Sequence, residues 1–143
     1  MLLMIFFQLF GCDENVVYSS SRCELQITDI APTPITANES AQIVGYPFTK
    51  TWDSLATIDG TEMEVTTITR ENCTDCDECR EINFCSPCDD CDICDQICKN
   101  NCVETMEVVI PANFEGSHQI QVSNSYGQSL PQPVEIQAEE STQ

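Results

Sequence analysis

Nine of the chain's eleven cysteines fall between Cys73 and Cys102, in the run C-T-D-C-D-E-C-R-E-I-N-F-C-S-P-C-D-D-C-D-I-C-D-Q-I-C-K-N-N-C. No apolar core needs thiols at that density, so they are cross-linked, metal-bound or held reduced. Only Ile82, Phe84, Ile93 and Ile97 supply large apolar side chains within the run. Burial cannot order a segment so poor in apolar surface, and covalent bridges would have to supply the order.

The compartment decides between these states, and the first residues bear on it. Met1–Phe10 is apolar apart from Gln8, too short for a bilayer span, and shaped like the apolar region of an export signal. Leu9-Phe10-Gly11-Cys12 resembles the bacterial lipobox. The resemblance implies a signal peptide over 1–11, cleavage before Cys12, acylation of Cys12, and a short tether over 12–22. The expected location is the bacterial cell envelope.

Five basic residues face twenty-four acidic ones, a formal charge of −19. Nucleic-acid binding rests on Lys and Arg neutralising phosphates, so this balance excludes it as a function. Anionic headgroups would repel the domain too, which leaves acyl chains as the means of membrane attachment.

With Cys23 added, ten cysteines lie beyond Cys12, an even number. In an exported chain this reads as a disulfide framework of Cys23, Cys73, Cys76, Cys79, Cys85, Cys88, Cys91, Cys94, Cys98 and Cys102. Cys23 is expected to tie the run to the first strand. The alternative is metal: Cys88, Cys91, Cys94 and Cys98 have the spacing of a bacterial ferredoxin cluster run, and paired Cys-x-x-Cys units suit zinc. A thiol redox role is the third reading. Eight carboxylates in the run work against it by raising thiol pKa values. They lack EF-hand spacing and read as solvated charge.

Outside the run the chain alternates in short stretches: Leu25–Ile30, Ser40–Tyr46, Leu55–Ile58, Met63–Ile68, Val103–Ile110, His118–Ser123 and Leu130–Ile136, with Asp59-Gly60 as a hairpin turn. Short strands punctuated by Gly, Pro and Asn predict an all-β sandwich. Four landmarks then resemble the IPT/TIG family of immunoglobulin-like domains: I-T-D-I-A-P-T-P at 27–34, A-Q-I-V-G-Y-P-F at 41–48, A-T-I-D-G at 56–60, and V-I-P-A followed by E-G-S-H and I-Q-V-S-N-S-Y-G within 109–127. The resemblance implies an E-set-type β-sandwich over 23–138, interrupted by the disulfide-rich loop 73–102, with a tail over 139–143. Its expected core draws on Ile27, Ile43, Val65, Val109, Ile120 and Val122.

The family implies a binding or spacer role and brings no catalytic residues or cofactor. His118 is the chain's one histidine, expected on a solvent face, and Trp52 is expected to pack locally. The sequence therefore predicts a noncatalytic, acyl-anchored module for binding, structure or adhesion, with a protein or carbohydrate partner. The rival is an envelope metal-binding or thiol redox protein acting through the cysteine run.

Overall fold

The structure is a computed structural model describing residues 23–87 and 91–139, the Cys23 side chain excepted. The expected signal peptide and tether, with Cys12, lie outside the described residues, as do Cys88 and residues 140–143. Among the described residues no helix is long and apolar enough to cross a membrane.

The fold is mostly β. Among the described residues nine strands run β1 Cys23–Ala31, β2 Ile35–Thr36, β3 Ser40–Tyr46, β4 Leu55–Ile58, β5 Thr61–Glu71, β6 Val103–Val109, β7 Gly116–Asn124, β8 Gly127–Ser129 and β9 Gln132–Gln137. Strand pairing closes a ring: β1 to β3, β3 to β6, β6 to β5, β5 to β4, β4 to β7, β7 to β8, and β8 back to β1. The domain is thus a seven-stranded barrel, where the sequence predicts two separate sheets. β9 extends β7 beyond the ring, and β2 extends β9.

Two strands turn the barrel's corners, and each does so through a bulge. β1 pairs with β8 over Cys23–Leu25 and with β3 from Gln26 onward, with a register shift between Ile27 and Asp29. β5 pairs with β4 over its first residues and then with β6, with a shift between Val65 and Thr67. The residue left over at each bulge is a threonine. Thr28 donates its hydroxyl to Val44 O and Thr66 to Glu107 O, both at 3.2 Å. The bulges also explain a broken alternation. Ile27 and Ile30, like Val65 and Ile68, sit three apart yet both pack against the core.

The core comprises Leu25, Ile35, Ala41, Ile43, Phe48, Ala56, Ile58, Met63, Met106, Val108, Ile110, Ile120, Val122 and Ile136, among others. Each large member contributes about 1.5–3 kcal/mol on leaving water. Of the expected core, Ile43, Ile120 and Val122 are fully buried, while Ile27 and Val65 are partly buried. Val109 is a correction: β6 turns Glu104, Met106 and Val108 inward, so the odd-numbered positions face out. The stretch Leu130–Ile136 is a second correction. Leu130 and Pro131 fall between β8 and β9, and Pro131 has no N–H to give a ladder.

Gly45 shows why one landmark has its form. A Cβ there would lie 2.3 Å from Gln26 O and 2.7 Å from Phe48 Cζ. The bare Cα lets Phe48 fold back into the core three residues later.

The cysteine run corrects the largest expectation. The disulfide-rich loop is two antiparallel helices, α1 Thr74–Ile82 and α2 Asp92–Asn101. Acidic residues occupy both first turns (Asp75 and Asp77; Asp92 and Asp95), and Arg80 and Lys99 occupy the last turns. Each placement complements the helix dipole. Helices of nine and ten residues are nonetheless marginal alone. They are laced by Cys73–Cys102, Cys76–Cys98 and Cys79–Cys94, and Cys85–Cys91 closes the tip. The cysteine spacing of three and four carried this signal, since it sets Cys76, Cys94 and Cys98 on facing helix sides.

Candidate functional site

Where the hairpin meets the barrel there is an open cleft of about 770 Å³. Its walls are the chain from Tyr46 to Asp53, Ile68 and Arg70 of β5, Glu104 of β6, Cys76, Asp77 and Arg80 of α1, Pro87, and Ser125 with Tyr126 after β7. Neither barrel nor hairpin forms it alone.

Glu104 anchors the floor. It is the first inward position of β6 and is 2 % exposed. Its carboxylate accepts from Phe48 N and from Arg70 Nε, the latter at 2.9 Å. Arg70 then turns its other two nitrogens onto Asp77 of α1, Nη1 to Oδ2 and Nη2 to Oδ1, each at 2.9 Å. One guanidinium therefore joins β5, β6 and α1. The bidentate bond to Asp77, with further help from Glu104, raises the Arg70 pKa and keeps the cation fixed. The sequence reading missed this pair. The available signal was Glu104 lying in phase with Met106, Val108 and Ile110, a carboxylate on an apolar face.

Arg80 forms the hairpin wall and is 6 % exposed. It donates to Ser86 O at 2.6 Å and to Asp95 at 2.9 Å, so it ties α1 to both the tip and α2. Its Cζ sits 5.6 Å from the Tyr46 ring centroid. The Tyr46 hydroxyl and Arg80 Nε are both buried without a hydrogen-bond partner. Burial pushes the Tyr46 pKa up to about 12, against the lowering effect of Arg80. The phenol therefore stays neutral at physiological pH.

The rim is held stiffly. Asp53 accepts from Ser125 N at 3.2 Å and from its hydroxyl at 2.6 Å, and the hydroxyl bond leads in lowering the Asp53 pKa. Asn124 Nδ2 donates to Pro47 O at 3.0 Å, and the Thr49 and Ser54 hydroxyls meet at 3.0 Å. On this pinned rim Trp52 stands 82 % exposed, in a single 3-10 turn over Thr51–Asp53. The expectation that Trp52 packs locally is thus overturned, because the turn over Thr51–Asp53 buries none of its residues. His118 lies elsewhere, on the barrel, bonded to Asp59 and to Glu115 O.

The sequence-predicted site residues distribute as follows. Cys73, Cys76, Cys79, Cys85, Cys91, Cys94, Cys98 and Cys102 stand in the four pairs above. Cys23 begins β1, and its side chain is outside the described set. Of the alternative metal set, Cys91, Cys94 and Cys98 each stand at bonding distance from a different cysteine, namely Cys85, Cys79 and Cys76. Their fourth member, Cys88, is outside the described residues. The carboxylates Asp77 and Asp95 hold arginines, so these two are ion-pair partners and not merely solvated charge.

Comparison of the chain with protein-family models, curated proteins and solved structures gives no match.

Proposed function

We propose that the protein is an acyl-anchored lipoprotein of the bacterial cell envelope, carrying a noncatalytic immunoglobulin-like (IPT/TIG, E-set type) domain whose binding face is the cleft. The anchor is Cys12, on the strength of the lipobox resemblance. The Ig-like reading is supported by the two sheet-switching strands, which divide the barrel into two facing halves, and by the Gly45–Phe48 contact in the second landmark.

One observation carries the assignment of the binding face. The chain's single tryptophan stands over a cleft whose lining joins Lys50, Arg70 and Arg80 with Asp53, Asp77 and Glu104, both arginines being held in ion pairs. A large indole held in water on a rigid rim forfeits the gain of burial and becomes a contact anchor when a partner covers it. The partner is an envelope protein or carbohydrate.

Trp52 is the sole tryptophan, so its emission reports on the cleft directly. The test is acrylamide quenching during titration with separated envelope protein and glycan fractions. The expected result is protection of Trp52 and a blue shift with one fraction. Saturable binding that leaves Trp52 fully quenchable, and survives Trp52→Ala, would move the binding face elsewhere. Intact mass of the mature protein tests the anchor: an N-terminus other than acylated Cys12 rejects it.

A further inference from the structure

At the free end of the hairpin two disulfides lie side by side. Cys79–Cys94 joins the two helices, and Cys85–Cys91 closes the turn between them. The Sγ atoms of Cys85, Cys91 and Cys94 all lie within 4.8 Å of one another. Cys79 Sγ, bonded to Cys94 Sγ, completes a group of four sulfurs. A tetrahedral tetrathiolate zinc site has Zn–S bonds of about 2.3 Å, which puts its sulfurs about 3.8 Å apart. Breaking the two S–S bonds would free these side chains to turn toward that spacing.

A second observation points the same way. Asn83, just past the end of α1, holds its Nδ2 3.6 Å from Cys79 Sγ and 3.6 Å from Cys94 Sγ. A disulfide sulfur is a poor acceptor, whereas a thiolate is a good one. An amide donor set between two sulfurs from different helices is the outer support that thiolate metal sites use. Asn83 is itself fixed by donating to Cys79 O at 2.8 Å.

We infer that the hairpin tip is a redox-gated zinc site, empty while Cys79–Cys94 and Cys85–Cys91 are oxidised and formed by Cys79, Cys85, Cys91 and Cys94 when a dithiol reductant opens them. Each disulfide takes two electrons and two protons from one dithiol, which leaves as its own disulfide. Binding of Zn²⁺ then releases four protons and leaves a tetrathiolate centre of charge −2. The field of a −19 chain draws the cation in. Coordination to the cation holds the four sulfurs as thiolates. This set differs from the four cysteines picked out by ferredoxin spacing. It is independent of the cleft and its ligand.

Accessibility sets the order of reduction, because exchange needs approach to sulfur. Cys85 and Cys91 are both half-buried, and so is Cys79. Cys79–Cys94 and Cys73–Cys102 each pair a half-buried cysteine with a buried one, Cys94 at 0 % and Cys73 at 6 % exposure, whereas Cys76 and Cys98 are both buried, at 0 % and 2 %. Cys85–Cys91 therefore opens first and Cys76–Cys98 last, and the closed Cys76–Cys98 bond keeps the helices opposed for the metal.

The test is limited reduction of the full chain with a dithiol, removal of the reductant, and titration with Zn²⁺ or Co²⁺. Peptide mapping of alkylated cysteines is expected to show Cys79, Cys85, Cys91 and Cys94 open before Cys76 and Cys98. One zinc per chain should bind, and Co²⁺ should give the tetrahedral, thiolate charge-transfer spectrum. Cys85→Ser should abolish that spectrum, whereas a site made by the ferredoxin-spaced set would survive it. Asn83→Ala should leave the oxidised fold intact and weaken zinc binding about 10–100-fold. Early opening of Cys76–Cys98, substoichiometric metal, or a spectrum retained in Cys85→Ser would each overturn the inference.

Discussion

The barrel and the hairpin solve the same problem by opposite means. Ordering a residue costs roughly 1–2 kcal/mol in backbone entropy alone. The barrel offsets this with a contiguous apolar core, from Leu25 on β1 round to Ile136 on β9. The hairpin has no such core. Its large apolar residues point into water, with Ile82 75 %, Phe84 94 % and Ile93 72 % exposed. Its buried positions are instead Cys73, Cys76, Cys94, Cys98 and the ion-paired Arg80. The four S–S bonds among the hairpin's described residues act on the unfolded chain, where the barrel's contacts act on the folded one. The two regions should therefore fail under different insults.

Full reduction in the presence of a chelator is the strongest way to separate them. Each bridge contributes about 2–4 kcal/mol in a chain-entropy account, and together they are the hairpin's main support. The expected outcome is loss of helical circular dichroism and of amide protection over Thr74–Asn101, while the β signal keeps a cooperative melt. A barrel that melts along with the hairpin would break the comparison.

The converse insult is a hole in the core. Ile120 is fully buried, at 0 % exposure, in the middle of β7. Ile120→Ala should destabilise the barrel by about 2–5 kcal/mol. Measured by denaturant melts under oxidising conditions, the drop should appear in the β signal. Protection at the hairpin's disulfide-laced turns should change far less.

The same contrast explains what could be read from the chain beforehand. Ser40–Tyr46 and Leu55–Ile58 are strands with the bounds their alternation gives. Asp59-Gly60 is a two-residue turn with both φ angles positive, 46° and 82°. Barrel strands advertise themselves because burial on one face leaves a period of two. Where that period slips, at Thr28 and Thr66, the cause is a bulge, which sequence alternation does not mark. The helices were hidden for a different reason. Their buried faces are cysteine, so hydropathy shows no helical stripe, and the three- and four-residue spacing reads equally as metal-ligand spacing. The cleft was not legible at all. It arises from the meeting of two regions, and Arg70, Glu104 and Arg80 are far apart in the chain.

Arg70 is where the two regions join, so it tests how independent they are. Arg70→Ala leaves the Glu104 carboxylate buried without its cation and releases Asp77. Breaking a buried pair costs about 3–5 kcal/mol. With the Arg70 side chain 42 % exposed, solvent screening brings the expected loss to about 2–3 kcal/mol. Glu104→Gln in the same background should recover part of it, because the amide still accepts from Phe48 N without burying a charge. If Arg70→Ala also loosens α1 in hydrogen exchange, the junction transmits strain; if α1 stays protected, the disulfides alone hold it.

The smallest effect is a pH response that belongs to the barrel only. Asp59 sits in the β4–β5 turn, and its Oδ1 accepts from Gln119 N at 2.9 Å. Its Oδ2 meets His118 Nδ1 at 2.6 Å, and His118 Nε2 meets Glu115 O at 2.9 Å. Both imidazole nitrogens face acceptors, so the doubly protonated ring suits the site best. The bond to Asp59 leads in raising the His118 pKa above 6.5, with the Glu115 carbonyl next and Glu135 adding charge. The bond to His118 leads in lowering the Asp59 pKa below 3.8. A raised histidine contributes stability that is complete below the unfolded value of 6.5 and is lost as pH rises through the folded one. A lowered carboxylate contributes stability that is complete above 3.8 and is lost as pH falls through its folded value. The pair therefore helps most between those two unfolded values. His118→Gln should lower the barrel's Tm by about 1–2 °C in that window and by less at pH 8, since both groups are near the surface. Taking the difference between wild type and variant cancels the general easing of self-repulsion as a −19 chain is acidified. The hairpin's disulfides do not titrate over this range, so its protection should show no matching window. A parallel response in Thr74–Asn101 would mean that the turn at Asp59 and the hairpin are coupled through β5, which runs unbroken from one to the other.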